Sequence, residues 1–134
     1  MIHTKFIYIV ILVATSLILR TEDSNSYSYS ILAEGLDRPW SLAVVDNENI
    51  IFTELSGNLR QIKDGVLLDP VKGVPEVLFK GQGGMSGVVL DPDYKINKRI
   101  YLAFSARDIG ERSNTLKVIR AVLSNNELFD LEEI

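Results

Sequence analysis

Two stretches of the chain repeat the same order of short apolar segments. Three segments of the first stretch each have a similar counterpart in the second: Ser41–Asp46 with Ser86–Asp91, Ile50–Glu54 with Arg99–Ala103, and Asn58–Ile62 with Thr115–Ile119. A unit of four short strands that recurs every ~40–50 residues is typical of a β-propeller blade. The repeat therefore predicts an all-β protein with about two blades, although generic β-strands can also resemble one another by chance.

The repeated segments have the composition of strands and are separated by turn residues. Asp64-Gly65 is a strong signal for a two-residue hairpin, and outside residues 1–20 no window sustains a helical period. We expect strands at Ser41–Val45, Ile50–Glu54, Leu59–Lys63, Val66–Leu68, Val74–Phe79, Gly87–Leu90, Ile100–Ser105 and Thr115–Leu123.

The two predicted blades differ at their outer edges. Val74–Phe79 would be the outer strand of the first blade, whereas the second would stop unfinished in Phe129–Ile134. A propeller ring has at least four blades. We therefore expect residues 31–134 to be the N-terminal part of a propeller that is truncated at its C-terminus.

The N-terminal segment has the layout of a secretory signal. Lys5 precedes the apolar run Phe6–Leu19, which is shorter than the ~20 residues that a spanning helix needs, and polar sequence follows. We expect residues 1–20 to be a signal peptide or N-terminal anchor and residues 21–30 a linker. The protein would then be periplasmic or secreted, or tethered to a membrane through residues 6–19 if the segment is not cleaved. A buried N-terminal strand or helix is the alternative.

Composition excludes several kinds of chemistry. The chain of 134 residues has no cysteine and a net charge of −4, and its single histidine is His3 in the leader. Disulfides, thiolate metal sites and a cysteine nucleophile are therefore excluded, and an acidic chain has no general attraction for nucleic acid. Without a histidine after the leader, we expect no catalytic residue in this part of the protein.

An ordered set of motifs resembles one family of enzymes. The motifs lie at Gly35–Ala43, Thr53–Arg60, Gly73–Pro75, Gly81–Gly84, Asp91–Tyr94 and Ile100–Leu102. They resemble the soluble PQQ-dependent sugar dehydrogenases, the glucose/sorbosone dehydrogenase and aldose sugar dehydrogenase group. The resemblance implies an exported six-bladed propeller that oxidises aldose sugars at C1 to lactones with PQQ and calcium. An exported, non-catalytic propeller that binds a carbohydrate or protein partner is the alternative.

The resemblance assigns one side chain to the ligand site. Gln82 matches the family's glutamine at the PQQ and substrate site, with Gly81, Gly83 and Gly84 as its supporting loop. A carboxamide both donates and accepts hydrogen bonds, which suits quinone and sugar oxygens. The alternative is a flexible turn between blades. The family's catalytic histidine, its PQQ-binding arginines and its calcium ligands belong to later blades, so we expect neither a catalytic nor a metal-ligating residue here.

The chain also departs from the family pattern. Met85 and Ser86 stand where two leucines are common, and Leu55 stands where an arginine is frequent. These differences indicate a divergent member and leave the substrate class open.

Other polar and aromatic residues have simpler interpretations. Carboxylates at turns usually cap the backbone, so we expect Asp91 and Asp93 to cap a turn and not to hold a metal. We expect Arg60, Lys63 and Asp64 to lie at a solvated blade edge, and Trp40 to be a core or blade-packing aromatic. We expect Ala106–Asn114 to form a polar loop, and neither Thr53 nor Ser105 to be a nucleophile.

Overall fold

The computed structural model describes residues 27–107 and 114–134. The chain divides into two compact units, Met1–Ser30 and Ile31–Ile134. Of the first unit, the described residues 27–30 are exposed and have no regular structure. The predicted signal segment and tether lie outside the described residues, as do residues 108–113 of the polar loop. In the part that is described, no helix is long and apolar enough to cross a membrane.

Residues 31–134 form two four-stranded antiparallel sheets, each with its strands in chain order. The strands of the first sheet are β1 Pro39–Val44, β2 Ile50–Glu54, β3 Leu59–Lys63 and β4 Val66–Leu67. Those of the second sheet are β5 Met85–Leu90, β6 Arg99–Arg107, β7 Asn114–Ser124 and β8 Glu127–Glu133. One helical turn, α1 Tyr94–Asn97, connects β5 to β6 and is too short to leave a periodic pattern. The prediction of two all-β units is therefore confirmed.

The outer edges of the two sheets differ from the prediction. Val74–Phe79 forms no strand, because Pro75 lacks an N–H and the Leu78 amide donates to Ser105 of the other sheet at 2.7 Å. The outer strand of the first sheet is β4. The second sheet is not unfinished, because β8 completes it.

The strand β8 was not predicted from the sequence, because it contains several acidic residues. On this strand, Glu132 pairs with Arg120 of β7, and the Glu133 carboxylate lies 2.7 Å from the Lys117 ammonium. Cross-strand pairs of opposite charge stabilise a sheet where burial is incomplete. An acidic ending that looks like a tail is therefore a paired strand.

Tight hairpins of the same type end both repeats. Asp64 and Gly65 have φ of 50° and 74°, and Asn125 and Asn126 have φ of 50° and 60°. Positive φ at both central residues defines a type I′ turn, which matches the twist of the flanking strands. The predicted hairpin at Asp64-Gly65 is confirmed, and its counterpart lies between β7 and β8.

Irregularities in the first strand of each sheet, β1 and β5, establish the register of the repeat. The β1–β2 pairing shifts between Pro39 and Ser41, and the β5–β6 pairing shifts between Met85 and Gly87. Ser41 therefore corresponds to Gly87, one residue later than the alignment that matches it with Ser86. Because side chains alternate across a strand, this difference determines which face each residue occupies.

The core lies between the two sheets. Residues from both sheets and from the connection between them form one buried cluster, among them Ile51, Leu59, Val71, Met85, Val88, Ile100, Leu102 and Phe104. On the outward face of β1, Trp40, Leu42 and Val44 are 64%, 65% and 57% exposed. Trp40 is therefore not part of this core, because it alternates with the inward residues of its strand, and its packing against another blade stays a prediction.

The connection between the sheets is hydrogen-bonded to both of them. The Val71 amide donates to Leu59 of the first sheet at 2.8 Å, and the Lys72 amide donates to Asn126 of the second at 3.0 Å. Gly73 has φ 72° and lies against the Leu128 backbone, so close that a Cβ would be 2.9 Å from the carbonyl oxygen. The connection thus follows a fixed path to the start of β5.

Candidate ligand site at the Gly81–Gly84 turn

Gln82 lies on a tight turn that leads into β5. The Gly83 amide donates to the Lys80 carbonyl at 3.0 Å, and Gly81 has φ 63°, a conformation that glycine adopts without strain. Gln82 is exposed, and its carboxamide makes no hydrogen bond to any residue that the structure describes. Both the oxygen and the nitrogen of this side chain are therefore available to a ligand.

Backbone hydrogen bonds fix both ends of this turn. Before it, Leu78 donates to the Ser105 carbonyl at 2.7 Å; after it, the Gly84 carbonyl accepts from the Ser105 amide at 2.9 Å. The Met85 amide donates to Leu55 at 3.1 Å, which connects the turn to the end of β2. These bonds favour a turn that holds Gln82 in place over a flexible connection between blades.

A second loop, Gly35–Pro39, lies against the same end of β2. The Leu55 amide donates to the Arg38 carbonyl at 3.0 Å, and Arg38 itself has φ 54°. The Arg38 guanidinium lies 4.7 Å from the centre of the Phe79 ring, on the segment that leads into the Gln82 turn. This distance suits a cation–π contact. A positive charge thus lies beside this segment, and the sequence pattern did not single it out.

Glu54 is a buried carboxylate at this end of the first sheet. It is 1% exposed, and it accepts hydrogen bonds from the Asp37 amide and from the Asn58 side chain, each at 2.9 Å. Arg60 lies 3.4 Å from the same carboxylate and also donates to the Leu68 carbonyl at 2.9 Å. The expectation that Arg60 belongs to a solvated edge is wrong, because its guanidinium neutralises this buried charge.

Two aspartates cap equivalent turns at the opposite ends of the strands. Asp46 accepts from the Glu48 amide at 3.0 Å and from the Asn49 side chain at 2.7 Å. Asp91 accepts from the Asn97 side chain at 2.8 Å and from the Asp93 amide at 2.9 Å. The capping role predicted for Asp91 is thus observed.

The hydrogen bonds of these turns lower the pKa of both aspartates. The Asn97 side chain contributes most to the low pKa of Asp91, followed by the Asp93 amide. For Asp46, the Glu48 amide contributes most to the low pKa, followed by the Asn49 side chain. The Tyr101 hydroxyl donates to Asp91 at 3.0 Å, and this bond raises the pKa of Tyr101.

Metal ligands are not grouped in the described part of the chain. Within residues 27–107 and 114–134, no three His, Cys, Asp or Glu side chains are placed to hold a metal ion. The Thr53 hydroxyl is 0% exposed; it accepts from the Ser41 amide and donates to the Ser41 carbonyl.

A cavity of about 460 Å³ lies between the sheets at the end opposite Gln82. Its walls include Asp46, Lys63, Tyr94 and Lys98, together with Asn125 and Asn126 of the second hairpin. None of the residues of the Gln82 turn lines it. The cavity and the predicted ligand site are therefore separate features of the molecule.

The glucose / sorbosone dehydrogenase family model matches residues 36–134. The chain belongs to this family. It is 36% identical over 105 residues to the aldose sugar dehydrogenase YliI of Escherichia coli, a match that covers 77% of this chain and 28% of the relative. The predicted membership of the glucose/sorbosone dehydrogenases is confirmed.

Solved structures of sugar dehydrogenases have the same fold. The apo-form of the soluble aldose sugar dehydrogenase from Escherichia coli has a TM-score of 0.71 and 34% identity, over 78% of this chain and 31% of that one. The PQQ-bound aldose sugar dehydrogenase from Streptomyces coelicolor has a TM-score of 0.68 and 21% identity, over 81% of this chain and 33% of that one. The two sheets are blades of this propeller type, and the chain spans about a third of these relatives.

Proposed function

We propose that this chain is part of an exported PQQ-dependent oxidoreductase that oxidises aldose sugars at C1 to lactones. Membership of the glucose/sorbosone dehydrogenase family supports a sugar oxidoreductase. The observation that carries the site is the Gln82 carboxamide, which is exposed on a turn whose two ends are fixed and which no described residue engages. An enzyme uses such a group to orient a ligand without first breaking an internal hydrogen bond.

The residues of the turn fit a quinone cofactor or a sugar. The Gln82 amide nitrogen can donate to a quinone oxygen, and its oxygen can accept from a sugar hydroxyl. Gly81 has no side chain that would obstruct a ligand's approach to this backbone, and the space around it is open. Gly83 instead lets the turn pack against Ser105, because a Cβ there would lie 3.0 Å from the Ser105 hydroxyl oxygen. PQQ, when bound, accepts the electrons and hydrogen removed from C1. In this proposal Gln82 orients cofactor or substrate, and the described residues have no part in proton transfer.

The test is an activity assay on the protein expressed from its own gene and supplied with PQQ and Ca²⁺. We expect dye reduction that depends on an aldose and a lactone as the product. Q82A should lower kcat/KM about tenfold or more, since it removes one oriented polar contact to the ligand. Q61A is the matched control, because Gln61 is bonded to Asn126 at the opposite end of the strands.

Any of three results would contradict the proposal. Absence of aldose-dependent dye reduction would exclude the dehydrogenase activity, and sugar binding without turnover would favour the non-catalytic propeller. Full activity of Q82A would show that Gln82 faces water only. Residues 1–134 alone should show no turnover, because the expected histidine base is not among them.

A further inference from the structure

Among the residues that the structure describes, Glu54 is the one charged residue that is buried, with 1% exposure. Removing a carboxylate from water is costly unless hydrogen bonds and an opposite charge compensate it. Here the compensation comes from three parts of the chain: the Asp37 amide before β1, the Asn58 side chain in the β2–β3 turn, and Arg60 on β3. The carboxylate thus joins the loops at the Gln82 end of the first sheet.

The residue after Glu54 connects this network to the Gln82 turn. The Leu55 amide donates to Arg38 at 3.0 Å, and the Leu55 carbonyl accepts from Met85 at 3.1 Å. Gly84 packs closely against this carbonyl. An ideal Cβ on Gly84 would lie 2.2 Å from the Leu55 carbonyl oxygen and 2.9 Å from the Leu55 side chain. The Leu55 carbonyl belongs to the Leu55–Ser56 peptide, so a rotation of that peptide would displace Gly84, two residues from Gln82.

From this chain of contacts we propose that Glu54 is a positioning residue, which holds the Leu55 carbonyl and through it sets the place of the Gln82 turn. Glu54 touches neither cofactor nor substrate in this arrangement. The inference deepens the proposed function and rests on it for the role of Gln82, but the geometry that it asserts is a property of the protein without ligand.

The neighbouring residues distinguish this role from general stabilisation. Thr53, one position earlier on β2, is bonded to Ser41 of its own sheet, and Ile51 belongs to the core between the sheets. The bonds of Glu54 lead instead to the loop before β1, to the β2–β3 turn and to Arg60. Loss of its charge should loosen that end of the sheet selectively.

The test is amide hydrogen exchange on the ligand-free protein expressed from its own gene, read residue by residue. In E54Q, the Met85 and Asp37 amides should exchange at least about tenfold faster, whereas Ile100 and Leu102 in the core of β6 should change less than about threefold. E132Q is the matched control. It also removes the charge of a glutamate that pairs with an arginine, but the Glu132 side chain is 58% exposed. It should leave all four amides unchanged.

Unchanged exchange at Met85 in E54Q, or an equal increase at all four amides, would overturn the proposal. Should E54Q fail to fold, N58A removes one donor only, and a smaller increase at the same two amides is then expected. In the activity assay, E54Q should lower kcat/KM in the wild-type background and have no further effect in Q82A. Exchange measured without ligand is independent of that assay, so it separates failure of this inference from failure of the proposed function.

Discussion

An ideal Cβ on Gly84 would lie 2.2 Å from the carbonyl oxygen of Leu55. The backbone of the second sheet therefore meets the end of β2 with no room for a side chain at this position. The obstacle is a backbone atom that is itself bonded to Met85, so it has no freedom to move aside. A glycine is required here by this contact, and its φ of 158° is a second reason, since L side chains rarely adopt that conformation.

Substitution of Gly84 tests this contact. G84A should lower the free energy of unfolding by more than about 2 kcal/mol, because overpacking of this kind displaces backbone. G87A is the control: the nearest atom to its Cβ is Ala103 Cβ at 3.4 Å, an approach that a small shift can relieve. An alanine in a strand is also favoured by about 0.5–1 kcal/mol over glycine. Equal stability of the two variants in urea unfolding would contradict the proposed obstruction.

Replacement of Arg60 by lysine should be costly although the charge is kept. The guanidinium contacts both Glu54 and the Leu68 carbonyl, and an ammonium cannot do both with the same geometry. We expect R60K to lower the free energy of unfolding by about 1–2 kcal/mol. The comparison is R120K on β7, whose pair with Glu132 is more exposed, and a change within about 0.5 kcal/mol is expected there. A loss at R120K as large as at R60K would refute the argument.

The two capping aspartates should make stability dependent on pH in acid. The pKa of Asp46 and that of Asp91 are both lower in the folded chain than the ~3.9 of an unfolded aspartate. A depressed folded pKa adds stability above the unfolded value, and this contribution is lost as the pH falls through the folded pKa. The double variant D46N/D91N should therefore show a shallower loss of stability below about pH 4. An unchanged slope in acid unfolding curves would exclude this origin.

The exposed sheet faces should make the purified 134-residue chain associate. Leu42 on the outward face of β1 and Val89 on that of β5 are 65% and 61% exposed, and large apolar patches promote association. The double variant L42K/V89K should shift sedimentation towards the monomer. I96K is the control, because Ile96 is 85% exposed but lies on α1. A wild-type chain that is monomeric at all concentrations would contradict this prediction.

Export stays a prediction that a fusion experiment can check. Residues 1–30 joined to a reporter enzyme should deliver it outside the cytoplasm, because a basic start and a short apolar run direct secretion. Insertion of two lysines into the run Phe6–Leu19 should abolish delivery. A reporter that stays in the cytoplasm with the intact leader would refute the signal interpretation, and a membrane-bound product would favour the tether.

Features that local chemistry determines could be predicted from the sequence. Asp64-Gly65 forms the expected hairpin because few dipeptides accept positive φ at both positions. The strands β2 and β3 have their predicted bounds, since apolar runs between turn residues define them. These features depend on residues that are adjacent in the chain.

Features that depend on distant partners could not be predicted. The burial of Arg60 follows from Glu54 and from the Leu68 carbonyl, and neither contact is visible in the pattern of β3. The one-residue difference between Ser86 and Gly87 as counterpart of Ser41 depends on a bulge in each inner strand, which sequence similarity does not reveal. Whether Gln82 contacts a cofactor stays a prediction from the family resemblance.

The fixed path of the connection between the sheets couples their local unfolding. Val71 is bonded to the first sheet, and the adjacent residue Lys72 is bonded to the second. Opening of one sheet releases its own bond to this pair and so weakens the hold of the pair on the other sheet. With a flexible linker, each blade would open with its own free energy. With this hydrogen-bonded connection, the two neighbouring blades open with a common free energy. Protection against exchange in β2 and in β6 should therefore be lost together, as in a single cooperative unit.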